Sequence, residues 1–163
     1  MRRGFCIALC AVGCAGTPAS APRTSADALP GVAITPLDGQ AESARSLLAG
    51  SVAVIDLWAT WCTACEQERP KLERLHSAYA AQGLRVIALD VGESPSVVRA
   101  YLNENRISYP VYLDPEFRMA DALGEKRLPA ILIVDRAGRI VHRSPRLDAP
   151  ALASIKSQLV SRP

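Results

Sequence analysis

Val52-Ala53-Val54-Ile55-Asp56-Leu57-Trp58-Ala59-Thr60-Trp61-Cys62-Thr63-Ala64-Cys65 is the stretch from which the fold is read. Its first part, Val52 to Ala59, is a nearly continuous apolar run, as expected of a central strand covered on both faces. Asp56 is its one interruption. After Trp61 the period changes. Leu72, Leu75 and Tyr79 recur at i, i+3 and i+7, which predicts a helix to about Ala81, ended by Gly83 and kinked at Pro70. The two cysteines therefore stand at a strand-to-helix junction.

Outward from this junction, short apolar runs alternate with amphipathic stretches, the signature of an α/β domain. Val32 to Leu37 predicts a leading β element and Ser43 to Leu48 a short helix ending at Gly50. Beyond the cysteines, Leu84 to Val91 reads as a strand and Pro95 to about Asn105 as a helix with Val97, Val98, Tyr101 and Leu102 on one face. Pro110 to Leu113 reads as a short strand, Pro115 to Leu123 as a helix and Ala130 to Val134 as a buried strand. Asp135 to Gly138 is a turn into Arg139 to His142, a closing hairpin, and Ala149 to Val160 is a last helix with Leu152, Ile155, Leu159 and Val160 inward.

The chain has 163 residues, 49% of them hydrophobic and 21% charged, enough apolar material for one core and too much for a disordered chain. Its mean hydropathy is +0.10. The 19 basic and 16 acidic residues are spread without a Lys/Arg block, so nothing suggests a nucleic-acid partner.

Five cysteines have to be sorted by place. Met1-Arg2-Arg3 followed by the uncharged run Gly4 to Val12 reads as an export signal, far short of the roughly 20 residues a spanning helix needs. Ala11-Val12-Gly13-Cys14 is similar to a bacterial lipobox. Residues 1–13 are then a signal peptide and Cys14 the lipidated first residue of the mature chain; the alternative is ordinary cleavage near Ala19-Ser20-Ala21. Cys6 and Cys10 leave with the signal, and residues 14–30, rich in Pro, Ala, Ser and Thr, form a flexible tether. The folded domain, 31–163, keeps only Cys62 and Cys65. Without Arg2 and Arg3 the basic excess falls to one, so the net charge of +3 owes much to the leader.

At a helix N-terminus, unpaired backbone N–H groups and the helix dipole favour the thiolate of the first cysteine, the nucleophilic form. Two intervening residues put the second sulfur one turn in, close enough to close a reversible disulfide. A structural zinc site would need further ligands, and the domain offers only the separated His76 and His142. A purely structural disulfide remains as the other reading in an exported protein, though so short a loop constrains the unfolded chain little.

Val54 to Cys65 resembles the active-site segment of the thioredoxin superfamily, and the longer pattern resembles its exported TlpA/ResA branch. The supporting stretches are Cys65-Glu66-Gln67-Glu68-Arg69-Pro70, similar to C-x-x-E-x-P, Asp90-Val91-Gly92-Glu93-Ser94, and Leu128-Pro129 through Gly138, similar to the cis-proline segment and its following turn. The resemblance covers Gly31 to the C-terminus. It implies a thioredoxin fold, a central mixed β-sheet flanked by helices, here with an extra N-terminal β element.

By the same resemblance, Cys62 is the attacking thiolate and Cys65 the resolving thiol of a thiol–disulfide oxidoreductase. Pro129 matches the cis-proline facing the disulfide, with Leu128 before it and Trp61 beside the dithiol as substrate-binding residues. Two acids match proton-transfer positions: Asp56, with Asp56 expected to matter more, and Glu68, one turn beyond Cys65. Burial of Asp56 in an apolar strand would raise its carboxyl toward neutrality. Thr63-Ala64 departs from the Pro often found before the second cysteine, which leaves the redox poise open. The implied clients are exported disulfide-containing proteins such as apocytochrome c or copper-site proteins, and the implied electron donor is a membrane thiol carrier of the CcdA/DsbD type. A monomer, held at an extracytoplasmic or periplasmic membrane face through Cys14, is expected to need no cofactor and no metal. The rival readings are a disulfide-forming oxidase and a non-enzymatic anchored binding module with a static disulfide. A thiol peroxidase fits poorly, because P-x-x-x-T-x-x-C is absent around Cys62.

Overall fold

The computed structural model describes residues 28–161; the export signal, Cys14 and nearly all of the tether lie outside them. The apolar run becomes β3 (Val52–Trp58), buried along its whole length. Alternation along it divides the core in two. Val52, Val54 and Trp58 pack into one cluster and Ala53, Ile55 and Leu57 into the other, because successive side chains of a strand leave opposite faces.

The remaining elements, in chain order, are β1 (Ala33–Pro36), β2 (Glu42–Ser43), α1 (Ala44–Leu48), then after β3 α2 (Thr63–Tyr79), β4 (Leu84–Val91), α3 (Pro95–Glu104), β5 (Val111–Asp114), α4 (Arg118–Leu123), β6 (Ala130–Val134), β7 (Ile140–Ser144) and α5 (Ala149–Val160). They build one mixed sheet of order β2-β1-β5-β4-β3-β6-β7. Strands β3, β4 and β5 run parallel, while both flanks pair antiparallel, β6 on β3 and β7 on β6 at one side, β1 on β5 and β2 on β1 at the other. Leu72 and Leu75 of α2, Val98 of α3, and Ala151 and Ile155 of α5 cover one face; Ala44 and Leu48 of α1, and Met119, Ala120 and Leu123 of α4, cover the other. The C-terminal ends of the central parallel strands are where α/β sheets commonly place ligands, and the cysteines emerge from one of them.

Four details depart from the sequence reading. The two-residue strand β2 was not foreseen, being too short to carry a period. Helix α4 starts at Arg118 rather than Pro115, because Phe117 has a left-handed φ of 58° and the carboxylate of Asp114 accepts the N–H groups of Met119 and Ala120 at 2.9–3.1 Å. Val97 is 46% exposed, since the buried stripe of α3 is centred on its neighbour Val98 with Tyr101 and Leu102 half-buried behind it. Val160 is 82% exposed: five residues beyond Ile155 it points to the other side of α5, whereas Leu159, four residues on, still reaches the core. Pro70 lies inside α2, and the helix continues past it to Tyr79.

Candidate active site

Cys62 caps α2. Its N–H donates to the carbonyl of Ala59 (3.0 Å), which ties the turn between β3 and α2, and its sulfur accepts the N–H of Cys65 (3.2 Å). Cys62 and Cys65 are joined as a disulfide with Cα atoms 5.3 Å apart, and both are buried. A backbone donor aimed at the Cys62 sulfur from the first turn of a helix stabilises negative charge there once the bond is opened, and so favours the thiolate.

Two other segments complete the surroundings. The Leu128–Pro129 peptide is cis, the isomer that the sequence alone could not specify. Leu128 and Trp61 line a groove of about 530 Å³ together with Leu57, Val91, Phe117 and Ala120. Trp61 is 69% exposed, so it stands out beside the dithiol as a wall of this groove. The rim carries Asp121, Glu125, Lys126 and Arg127, two charges of each sign.

Phe117, 49% exposed, is placed in the groove by its own left-handed backbone and by Gly92, whose φ is +83°. A Cβ on Gly92 would stand 2.2 Å from the Phe117 ring. Gly92→Ala is expected to destabilise the domain by roughly 1–3 kcal/mol in denaturant unfolding, the cost of forcing a side chain into that backbone region, and to push the Phe117 ring out of the groove.

The two acids differ. Asp56 is buried on the α2 side of β3 and its Oδ1 has no hydrogen-bond partner. Desolvation pushes its carboxyl up to about 7, partly offset by the Arg69 guanidinium and reinforced by Glu68. Glu68 is buried as well, but its oxygens are engaged: Oε1 accepts from Lys71 Nζ (2.7 Å) and Oε2 from the backbone N–H of Leu147 (2.9 Å), which ties α2 to the chain leading into α5.

Arg69, Glu93 and Thr60 belong to the site without having been singled out. The Arg69 guanidinium lies 5.6 Å from the Trp58 ring and 5.2 Å from the Tyr101 ring, and donates to the Tyr101 hydroxyl (2.6 Å). Tyr101 in turn donates to Glu66 (3.0 Å). The Thr60 N–H and hydroxyl donate to the two carboxylate oxygens of Glu93, at 2.6 and 2.7 Å. Both Arg69 and Glu93 stand in stretches already read as motifs, yet a charged residue's partner is set by how helices and loops cross, which has no signal along the chain. Among the described residues, no three His, Cys, Asp or Glu side chains converge as metal ligands.

A sequence model of the AhpC/TSA family matches residues 25–143. The thiol-disulfide oxidoreductase ResA of Bacillus anthracis is 29% identical over 114 residues, 70% of this chain and 65% of that protein. ResA of Halalkalibacterium halodurans is 30% identical over 105 residues, 64% and 59% of the two chains. The chain thus spans less than two thirds of the length of these curated relatives. Among solved structures, the thioredoxin domain of a thiol-disulfide oxidoreductase from Bacteroides vulgatus superposes with a TM-score of 0.72 at 18% identity, covering 84% of this chain and 99% of that one. A thiol:disulfide interchange protein of the thioredoxin family from Chlorobium tepidum does so with 0.67 at 22%, covering 85% and 99%. The fold is thioredoxin-like.

Proposed function

Because the chain belongs to the AhpC/TSA family and carries Cys62 and Cys65 joined at the head of α2 in a thioredoxin-like fold, we propose that it is a thiol–disulfide oxidoreductase that reduces disulfides in exported proteins. The observation that carries this reading is the joined pair itself, with a backbone donor on the Cys62 sulfur and an apolar groove alongside. A staple would need neither.

In the reduced protein the Cys62 thiolate attacks one sulfur of a client disulfide. A mixed disulfide forms and the other client sulfur leaves as thiolate. The Cys65 thiol gives its proton to Asp56, whose carboxyl is poised near neutrality, and the Cys65 thiolate then attacks the Cys62 sulfur. The second client thiol is released, and two electrons have passed from the Cys62/Cys65 pair to the client. Leu128, Pro129 and Trp61 hold the client chain at the groove, its apolar floor taking a side chain next to the scissile bond. Glu68 supports the same proton transfer through its influence on Asp56.

The pair leaves each turnover oxidised, so a dithiol donor has to restore it, and a membrane thiol carrier of the CcdA/DsbD type supplies that chemistry. The basic-apolar start and the Cys14 lipobox support export and a lipid anchor. No helix among the described residues is long and apolar enough to cross a membrane. Apocytochrome c, whose thiols must be reduced before haem attachment, and copper-site proteins are the clients that fit a reductant in an oxidising compartment.

The purified protein is expected to reduce insulin disulfides, and its Cys62/Cys65 potential to lie near the roughly −270 mV of thioredoxin. A potential near the roughly −120 mV of DsbA would reverse the direction of transfer and make it a disulfide-forming oxidase. Inactivity towards insulin would favour a static disulfide in a binding module.

A further inference from the structure

Asp90 occupies a place where a charge is costly. It stands near the end of β4, wholly buried, and neither of its carboxyl oxygens has a hydrogen-bond partner. Its register neighbours are Trp58 on β3 and Leu113 on β5. A buried, unpartnered carboxylate between apolar strands is so unfavourable that the group keeps its proton instead. Burial first, and then the neighbouring Glu93 side chain, push the Asp90 carboxyl up to about 8.

Three residues on, Glu93 closes on Thr60 through the two short bonds described above. Thr60 is two residues ahead of Cys62, within the turn that the Cys62 N–H closes onto Ala59. Whatever holds Glu93 therefore holds the turn from which the dithiol hangs. The other charged groups on the elements around Asp90 have different engagements. Asp56 lies two residues before Trp58 on β3, Arg69 of α2 lies over the Trp58 ring, Arg99 of α3 is bonded to Asp38 and the Leu37 carbonyl, and Asp114 of β5 accepts from the start of α4.

We propose that Asp90 is a positioning residue for the Cys62–Cys65 pair: as the protonated acid it gives its O–H to Glu93, and the pair so formed keeps Glu93 closed on Thr60. A carboxylate has lone pairs enough to accept this bond beside the two from Thr60. When the proton leaves to solvent, two carboxylates face each other, the buried one of Asp90 and the half-buried one of Glu93. Their repulsion moves Glu93 outward, Thr60 loses its acceptors, and the turn carrying Cys62 loosens. The consequence for turnover rests on the oxidoreductase reading; the control of Thr60 by a proton on Asp90 is measured without turnover.

The test follows the Thr60 amide by NMR in the oxidised full-length protein, in which Cys62 and Cys65 do not titrate. In the wild type the resonance is expected to move with a midpoint near 8, and its hydrogen-exchange protection to fall above it by about tenfold, as for the loss of one hydrogen bond to a charged group. Asp90→Asn keeps a donor and cannot ionise, so resonance and protection stay constant over the same range. Asp90→Leu lacks the donor and is expected to show low protection at every pH; if it does not fold, the Asn variant decides alone. Insulin reduction by the wild type relative to Asp90→Asn should decline over the same pH interval. A Thr60 amide that does not titrate in the wild type, or titrates identically in Asp90→Asn, overturns the proposal. Absent insulin activity with the Thr60 titration intact overturns the oxidoreductase reading and leaves the positioning role of Asp90 standing.

Discussion

Cys62→Ser is expected to abolish insulin reduction, a loss of at least about a thousandfold, because a serine hydroxyl at neutral pH supplies almost none of the anionic nucleophile that a helix-capping thiol supplies. Cys65→Ser should behave differently. Its Cys62 thiolate still attacks, but nothing resolves the product, so the variant accumulates as a mixed disulfide with its client. Non-reducing gels with mass spectrometry would show that adduct in Cys65→Ser and none in Cys62→Ser. The asymmetry follows from the geometry: the sulfur of Cys62 receives the backbone N–H of Cys65, whereas Cys65 lies within the first turn and is the slightly more buried of the two. Adducts of equal yield from both variants would mean that the attacking and resolving roles are not divided in this way.

Asp56→Asn is expected to slow reduction by roughly a hundredfold near neutral pH, the lower end of the range for losing a positioned base, and to erase the inflection near 7 expected of the wild type. Stability should move the other way. The folded-state carboxyl titrates at about 7 and an ordinary, solvated aspartate at 3.8, so the folded chain keeps a proton that the unfolded chain gives up as pH rises between them. The wild type therefore loses stability across that window and levels off above it, and the Asn variant does not. At pH 8 the variant should be more stable by about 4 kcal/mol, with the difference vanishing below pH 4. Denaturant unfolding at several pH values measures it. A difference independent of pH would place the Asp56 carboxyl outside the strongly desolvated setting described for it.

The sequence carried the strands and helices that turn a continuous run or a regular stripe of apolar residues to the core, because these leave an unbroken block or a period: β4, β6 and α5 have the limits read from the residues, and β3 ends one residue earlier, at Trp58. What it could not show depended on contacts between distant segments. Strand β2 exists only because Ala33 and Ile34 pair with it. The start of α4 is set by Asp114 reaching forward to Met119 and Ala120. The same division runs through the site. Cys62, Cys65 and Pro129 stood out by spacing and resemblance, and Asp56 by being an acid in an apolar run. That Glu68 is clamped between Lys71 and Leu147 required knowing where the chain comes back 79 residues later. Arg69, read only as part of a motif, takes its meaning from Trp58 and Tyr101, whose rings pack on each other and on its guanidinium.

The ends of the sheet carry a further consequence. If the proposed reading holds, this protein meets extended client chains with unsatisfied backbone groups, and any open strand would offer them a template for continued pairing. Here one margin is β2, only two residues long, and the start of the other, β7, is occupied by a bridge from Ala28 to Arg139 and a bond from the Leu29 N–H to the Gly138 carbonyl. At the β2 margin only two residues of backbone are available to a neighbour. Under the proposed reading, an extended client is left the groove beside Cys62, where contact ends with sulfur exchange, rather than the two-residue margin at β2.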